Sequence, residues 1–425
     1  MSASQALLAG SCLWFAAQIS CRDGGADRRV LEYWWALGVF LFGCIGTLTG
    51  LWFETLTDGQ IAAVRLVPTV VLGLGLVART LSGDRAVIPP AGFALLFYFG
   101  LLLCFASAGQ GFLMPLSSLL LLLPALIVPQ SGYCLRSLHA GAITGISLSL
   151  LAIVGFSILR PQRLIGTCRV DKCSVWGQVL GPETTGNAIG IYLAAASAIT
   201  LFSATRWYTF VLSMLGSAIL IELTGSRSAL IALGLIVVLA LTYRMAQERR
   251  SRMPIMLTSL ALCLATIVTP FLNWSESALT FRPVIWQYAI ALFEESPLIG
   301  YGATYWVRNA FGVGGSGKGF VLKANYSTHN IALEILVSAG VLGAIAFTIA
   351  LFLAATGSRD LTTWIYTMAL TGVLAAVSVA EVPSAPGRVY LFPGLVVYLF
   401  VAARAAGPCP HVVDTEFVVK RLRAA

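Results

Sequence analysis

Long apolar runs separated by short polar breaks make up most of this chain. They fall at roughly 5–21, 30–52, 61–78, 91–107, 113–130, 139–159, 188–205, 207–224, 228–243, 255–272, 330–353, 362–380 and 389–404. Each is continuous rather than alternating, which predicts helices and argues against a membrane barrel, whose strands alternate over ~10 residues. A helix rises ~1.5 Å per residue, so about 20 apolar residues cross the ~30 Å hydrocarbon layer. The pattern therefore predicts an all-α polytopic integral membrane protein with about 12 transmembrane helices, or 13 if Gln5–Cys21 is a full span. That first run lacks a basic segment ahead of it, which argues against a cleaved signal peptide. Residues 1–425 read as a single transmembrane domain.

One stretch breaks the pattern. Residues 273–328 form a polar island between two apolar runs, closed by Ser327-Thr328-His329-Asn330. Composition sharpens the contrast: 58% of residues are hydrophobic and 11% charged, with a mean hydropathy of +0.86. In such a chain, polar material gathered in one place is where a site is expected.

Basic residues in short loops stay on the cytoplasmic side, and Arg244–Arg252 is the clearest such signal. Counting outward puts Arg22, Arg28, Arg29, Arg79, Arg85, Arg136, Arg206, Arg359 and the 420–423 tail on that side. The loop 160–187, the turn Gly225-Ser226-Arg227, the island and the loop 381–388 then share the opposite face. The net charge of +9 accordingly points to membrane lipids as partners and not to nucleic acid. Cys168 and Cys173 flank Arg-Val-Asp-Lys in an outer loop, where an oxidising compartment permits pairing; two free thiols are the alternative. The other cysteines, in or beside apolar segments or in the tail, read as small hydrophobes.

Arg160, Arg163, Arg169, Arg227, Arg282, Arg308 and Arg388 sit against the orientation rule. An arginine near a membrane face must snorkel or find an anion, and guanidinium grips phosphate oxygens two at a time. Several converging on an outer face would suit a lipid-linked pyrophosphate. Of three histidines, His139 and His411 read as incidental. His329 begins an apolar span directly after the island, where a neutral imidazole can take a proton from a hydroxyl. Gly312–Gly319 imitates a phosphate loop but ends in Gly where Ser or Thr must hold magnesium, so it reads as a flexible loop. The outer face offers no carboxylate or histidine cluster for a divalent ion; neither metal nor other cofactor is expected.

Three segments taken together resemble a known family: Leu223–Leu230 with its Ser226-Arg227 turn; Arg282–Trp286 continuing to Ser296-Pro297-Leu298-Ile299-Gly300-Tyr301-Gly302; and His329–Glu334 with Gly340 and Gly343. They look like the signature of the O-antigen ligase and O-antigen polymerase superfamily, over about residues 220–350. The resemblance implies a multi-pass glycosyltransferase of the bacterial inner membrane working at the periplasmic face, with 273–328 a periplasmic loop carrying part of the site. It implies an undecaprenyl-pyrophosphate-linked glycan as donor and, for a ligase, lipid A-core as acceptor. Residue by residue it assigns catalytic roles to Arg227, Arg282 and His329.

The ligase is preferred because there is one large outer loop near the C-terminal end and no long C-terminal domain. O-antigen polymerase and protein O-oligosaccharyltransferase are the alternatives within the superfamily. The expected chemistry is metal-independent inverting transfer, with His329 as general base and Arg227 and Arg282 on the departing pyrophosphate. Arg160, Arg163, Arg308, Arg388, Trp286, Tyr301 and Asn330 complete the expected substrate site, with Trp286, Tyr301, Tyr305 and Trp306 as candidate sugar-stacking rings. A lipid-linked glycan transporter is the rival of a different class; the halves show no repeat, which argues against it.

Overall fold

In a computed structural model, residues 25–52, 58–83, 85–104, 110–159, 165–168, 173–175, 178–180, 185–275, 282–302, 305, 327–358, 360–379 and 393–405 are described. Helices dominate: α1 Gly25–Trp52, α2 Asp58–Gly83, α3 Pro90–Cys104, α4 Gln110–Leu126, α5 Leu135–Leu159, α6 Thr185–Ser203, α7 Trp207–Leu223, α8 Arg227–Arg249, α9 Met253–Val268, α10 Arg282–Glu295, α11 Ile331–Thr356, α12 Leu361–Ser378 and α13 Pro393–Ala402. Every expected span from residue 30 onward coincides with a helix; the run 5–21 lies outside the described residues. Among the described residues, five helices are long and apolar enough to cross a membrane: α5, α8, α9 with its 3-10 extension, α11 and α12.

Helix pairing follows small residues. α1 packs against α5 and α2, α3 against α11, and α8 against both α6 and α12. At the α1–α5 crossing, a Cβ on Gly141 would lie 2.1 Å from Tyr33 O and one on Gly145 2.5 Å from Leu37 O. Gly141-x-x-x-Gly145 is thus a close-approach motif, which membrane helices use where no hydrophobic effect drives them together. Local caps fix the helix ends. Asp360 Oδ1 accepts Thr363 N at 2.9 Å at the start of α12, and α8 closes on Arg250 with φ +47°.

His139, assigned no functional role from sequence, has a structural place in the bundle. Its Nδ1 lies 2.9 Å from Tyr366 Oη and its Nε2 2.6 Å from Ser203 Oγ. Tyr366 Oη in turn meets Tyr398 Oη at 3.1 Å, so one polar chain ties α5, α6, α12 and α13. A buried polar group must find such partners, and only packing reveals which.

Cys168 and Cys173 are disulfide-bonded, with Cα atoms 4.7 Å apart. They belong to an antiparallel hairpin, Ile165–Thr167 with Gln178–Leu180. Val175 N donates to Glu222 Oε1 at 3.0 Å, fastening this loop to the end of α7. Cys134, read above as a small hydrophobe, is also disulfide-bonded.

Two features depart from the plain apolar pattern. The island contains α10, a helix whose Ile285, Trp286, Ala289 and Leu292 form a small separate core with Leu333 and Val337 of α11. And α11 is broken at Gly340, where φ is +62° and ψ −165°. The chain Pro297–Gly302 fills the break: Tyr301 N donates to Val337 O at 2.8 Å and Gly302 N to Ser338 O at 2.9 Å. Val341 N and Leu342 N donate to Pro297 O and Leu298 O at 2.8 and 3.1 Å. Backbone at membrane depth needs partners once a helix is interrupted, and this turn supplies them. A Cβ at Gly340 would stand 2.3 Å from Leu298 O.

Candidate active site

The α7–α8 connection is a tight turn. Gly225 adopts φ +61°, and Ser226 caps α8, its Oγ accepting Ala229 N at 3.4 Å. Gly190 of α6 presses on the turn, where a Cβ would come within 2.8 Å of Ser226 Cβ and Thr224 Oγ1. This packing sets the direction of Arg227, the first residue of α8, which is exposed, and of the buried Ser228 beside it.

Arg282 heads α10 and is buried, with 5% exposure. Its Nη2 donates to Ser228 Oγ at 3.3 Å, tying the start of α10 to the start of α8. One turn later, about 6 Å along the helix axis, Trp286 Nε1 donates to Thr328 O at 2.9 Å. The first turn of α10 therefore brackets the Ser226–Ser228 turn on one side and the Thr328–Asn330 segment on the other. Leu333 and Val337 of α11 pack beneath it.

Asn330 caps α11. Its Oδ1 accepts Ala332 N and Leu333 N at 3.0 and 3.2 Å, while Nδ2 donates to Thr266 O of α9 at 2.8 Å and to Val379 O after α12 at 3.3 Å. His329, directly before it, is half-buried and has φ +54°. That left-handed conformation costs an L-residue roughly 1–2 kcal/mol and marks a position fixed by its surroundings.

Electrostatics follow from these helix starts. α8, α10 and α11 begin at this end of the bundle, and a helix N-terminus carries about half a positive charge. Acidic residues would be favoured there, yet α8 and α10 have none in their first turns and each opens on an arginine. The helix-end carbonyls of Thr266 and Val379 are already taken by Asn330 Nδ2. Two arginines and three helix N-termini gather here, an arrangement that favours an anion, and the one acid in these first turns is Glu334 of α11. At the other end, Arg244 Nη2 donates to Thr205 O at 3.1 Å and Arg252 lies 5.1 Å over the ring of Trp364.

The fold brings Arg227, Arg282, His329, Trp286 and Asn330 to one end of the bundle, but in different surroundings. Trp286 is fully buried, so it offers no ring face to a sugar; it positions the Thr328 carbonyl instead. Asn330 is likewise buried, with both ends of its amide bonded to protein. Tyr301 keeps partial exposure. Its hydroxyl donates to Glu295 Oε2 at 2.7 Å, which raises its pKa above the ordinary phenol value, and its ring lies 4.7 Å from that of Tyr305. Arg160, Arg163, Arg308 and Arg388 lie outside the described residues, as do Trp306 and the Gly312–Gly319 loop.

Sequence reasoning gave no role to Ser228, Thr328 or Glu334. Ser228 and Thr328 are each adjacent in sequence to a candidate catalytic residue, which was the available signal. Glu334 is an acid inside an apolar helix, buried to 2% exposure. Among the described residues, no group of three or more His, Cys, Asp or Glu side chains is arranged to hold a metal ion.

Residues 211–348 match the protein-family model described as O-antigen ligase. That interval runs from α7 to the middle of α11 and takes in the Arg227 turn, α10 and the His329 segment. No curated protein matches the chain.

Proposed function

We propose that this chain, whose residues 211–348 match the O-antigen ligase family model, is an O-antigen ligase. It moves an undecaprenyl-pyrophosphate-linked glycan onto lipid A-core at the periplasmic face of the bacterial inner membrane. The observation that carries this reading is the gathering of α8, α10 and α11 by their N-termini, with Arg227 and Arg282 as first residues and His329 just ahead of the third. Such an end fits a diphosphate ester beside a proton-accepting imidazole. The arginine-rich opposite end, with Arg244, Arg249, Arg250 and Arg252, supports a cytoplasmic orientation there and a periplasmic one for the site.

His329 takes the proton of an acceptor sugar hydroxyl as that oxygen attacks the anomeric carbon of the donor. The bond from that carbon to the pyrophosphate oxygen breaks, and the lipid pyrophosphate leaves with the electron pair. Attack opposite the leaving group inverts the anomeric centre, with no sugar–enzyme intermediate. General-base help is typically worth ~10²–10⁴ in rate, and charge stabilisation at the leaving oxygens is often the larger effect. Arg282, tied to Ser228, and Arg227, at the exposed rim, supply that stabilisation without a metal. Tyr301 and Tyr305 offer ring faces to the glycan, and Arg160, Arg163, Arg308 and Arg388 are assigned to the substrate's charged groups.

A broken membrane helix is also a transporter feature. In α11, however, Val337 O, Ser338 O, Val341 N and Leu342 N at the break are bonded to residues 297–302, which supports a structural use of the break over ion or substrate coordination. Lipopolysaccharide and lipid-linked glycan profiles of cells lacking the protein test the reading. A ligase predicts loss of long glycan on lipid A-core with accumulation of polymerised lipid-linked chains. A single repeat unit capping the core would instead identify a polymerase, and an unchanged profile would remove both.

A further inference from the structure

We propose that Glu334 is a positioning residue that holds His329 in place through Thr328; the inference builds on His329 as base of the proposed transfer. A left-handed histidine persists only where its neighbours over-determine it. On its C-terminal side Asn330 is locked by cap and inter-helix bonds. On its N-terminal side every polar group of Thr328 is held. The carbonyl accepts Trp286 Nε1 at 2.9 Å, the amide donates to Glu334 Oε2 at 2.9 Å, and the hydroxyl lies 2.7 Å from Asn330 O and 3.1 Å from Glu334 Oε2. One carboxylate oxygen thus faces both the amide and the hydroxyl of the residue that precedes the base.

Glu334 is 2% exposed, one turn into a helix that is otherwise almost wholly apolar. An ionisable side chain there is expensive to keep and calls for a role. A carboxyl oxygen suits this place, because it accepts hydrogen bonds and both the amide and the hydroxyl of Thr328 can donate. A leucine would leave the Thr328 amide without its acceptor, whereas a glutamine retains one acceptor oxygen.

Histidine-selective ¹³C,¹⁵N NMR of the full-length protein in nanodiscs reads the effect directly, since the chain has three histidines and His329→Ala identifies the His329 signal. In Glu334→Leu and in Thr328→Val, the His329 ring resonances shift and split into several populations while those of His139, in its separate polar chain, stay in place. Turnover falls about 10²-fold, as expected for a displacement near 1 Å, with donor KM changed less than about threefold. Glu334→Gln restores a single His329 signal and most of kcat. Unchanged His329 resonances in both Glu334→Leu and Thr328→Val overturn the proposal. So does movement of His139 together with His329 in both, since Glu334 would then support the fold in general. Wild-type transfer by His329→Ala would remove the base role, while the spectra would still decide whether Glu334 positions that residue.

Discussion

Arg282→Lys separates a guanidinium clamp from a buried point charge. Arg282 is 5% exposed at the head of α10, with Nη2 3.3 Å from Ser228 Oγ; its burial removes snorkelling to the headgroups as an account of its placement. Lysine keeps the charge but offers a compact ammonium in place of a planar fork, so it cannot hold Ser228 and a pyrophosphate oxygen in one plane. Loss of one charge-assisted hydrogen bond costs about 1.5–3 kcal/mol. At 1.36 kcal/mol per tenfold, this is a fall of about 10- to 150-fold in kcat/KM. The assay is transfer from a lipid-linked donor to lipid A-core by purified protein, with Arg227→Lys and Arg250→Lys prepared alongside. Arg227 is exposed at the rim, and Arg250→Lys alters only the arginine-rich opposite end. Large losses are expected for the first two and none for Arg250→Lys. Turnover within about twofold of wild type for both Arg282→Lys and Arg227→Lys would refute the pyrophosphate clamp.

Replacing His329 by Ala should abolish transfer while the protein still inserts and elutes as a folded species; wild-type turnover would exclude it as the base. Transfer should persist in excess EDTA, and loss on chelation with rescue by magnesium or manganese would reveal a metal requirement. Gly340→Ala forces a Cβ to 2.3 Å from Leu298 O at a φ of +62°, so the apparent melting temperature should drop by several degrees; an unchanged transition would mean that the 297–302 turn shifts at no cost. Asn330→Ala loses a cap worth about 0.5–2 kcal/mol and leaves the carbonyls of Thr266 and Val379 without Nδ2, at about 1–3 kcal/mol for each that stays dry. Thermal melts should show it less stable than Asn330→Ser, which retains a capping oxygen, and equal stability would show that the cap contributes nothing.

Much of the architecture was determined by sequence alone, because hydrocarbon leaves a chain few options: an apolar run near 20 residues must be a helix, and its ends must fall where polar residues resume. The boundaries at Trp207, Arg227 and Leu361 were legible for that reason, and Arg227, Arg282 and His329 stood out as candidates because charge and imidazole are costly at a membrane face. Periodicity could not show which partner a buried polar group finds, because that depends on residues far apart in the chain. His139 meets Tyr366 and Ser203; Trp286 turns from a presumed sugar platform into a brace for Thr328; and Asn330 joins α9, α11 and α12. The break at Gly340 was equally out of reach. Nothing local in α11 demands it, and it becomes tolerable only because residues 297–302 supply the hydrogen bonds that the helix gives up. The left-handed backbone of His329 lies between Thr328 and Asn330, which Glu334 and the α11 cap hold locally. The bond from Trp286 and those from Asn330 to the carbonyls of Thr266 and Val379, by contrast, exist only once the helices are packed together.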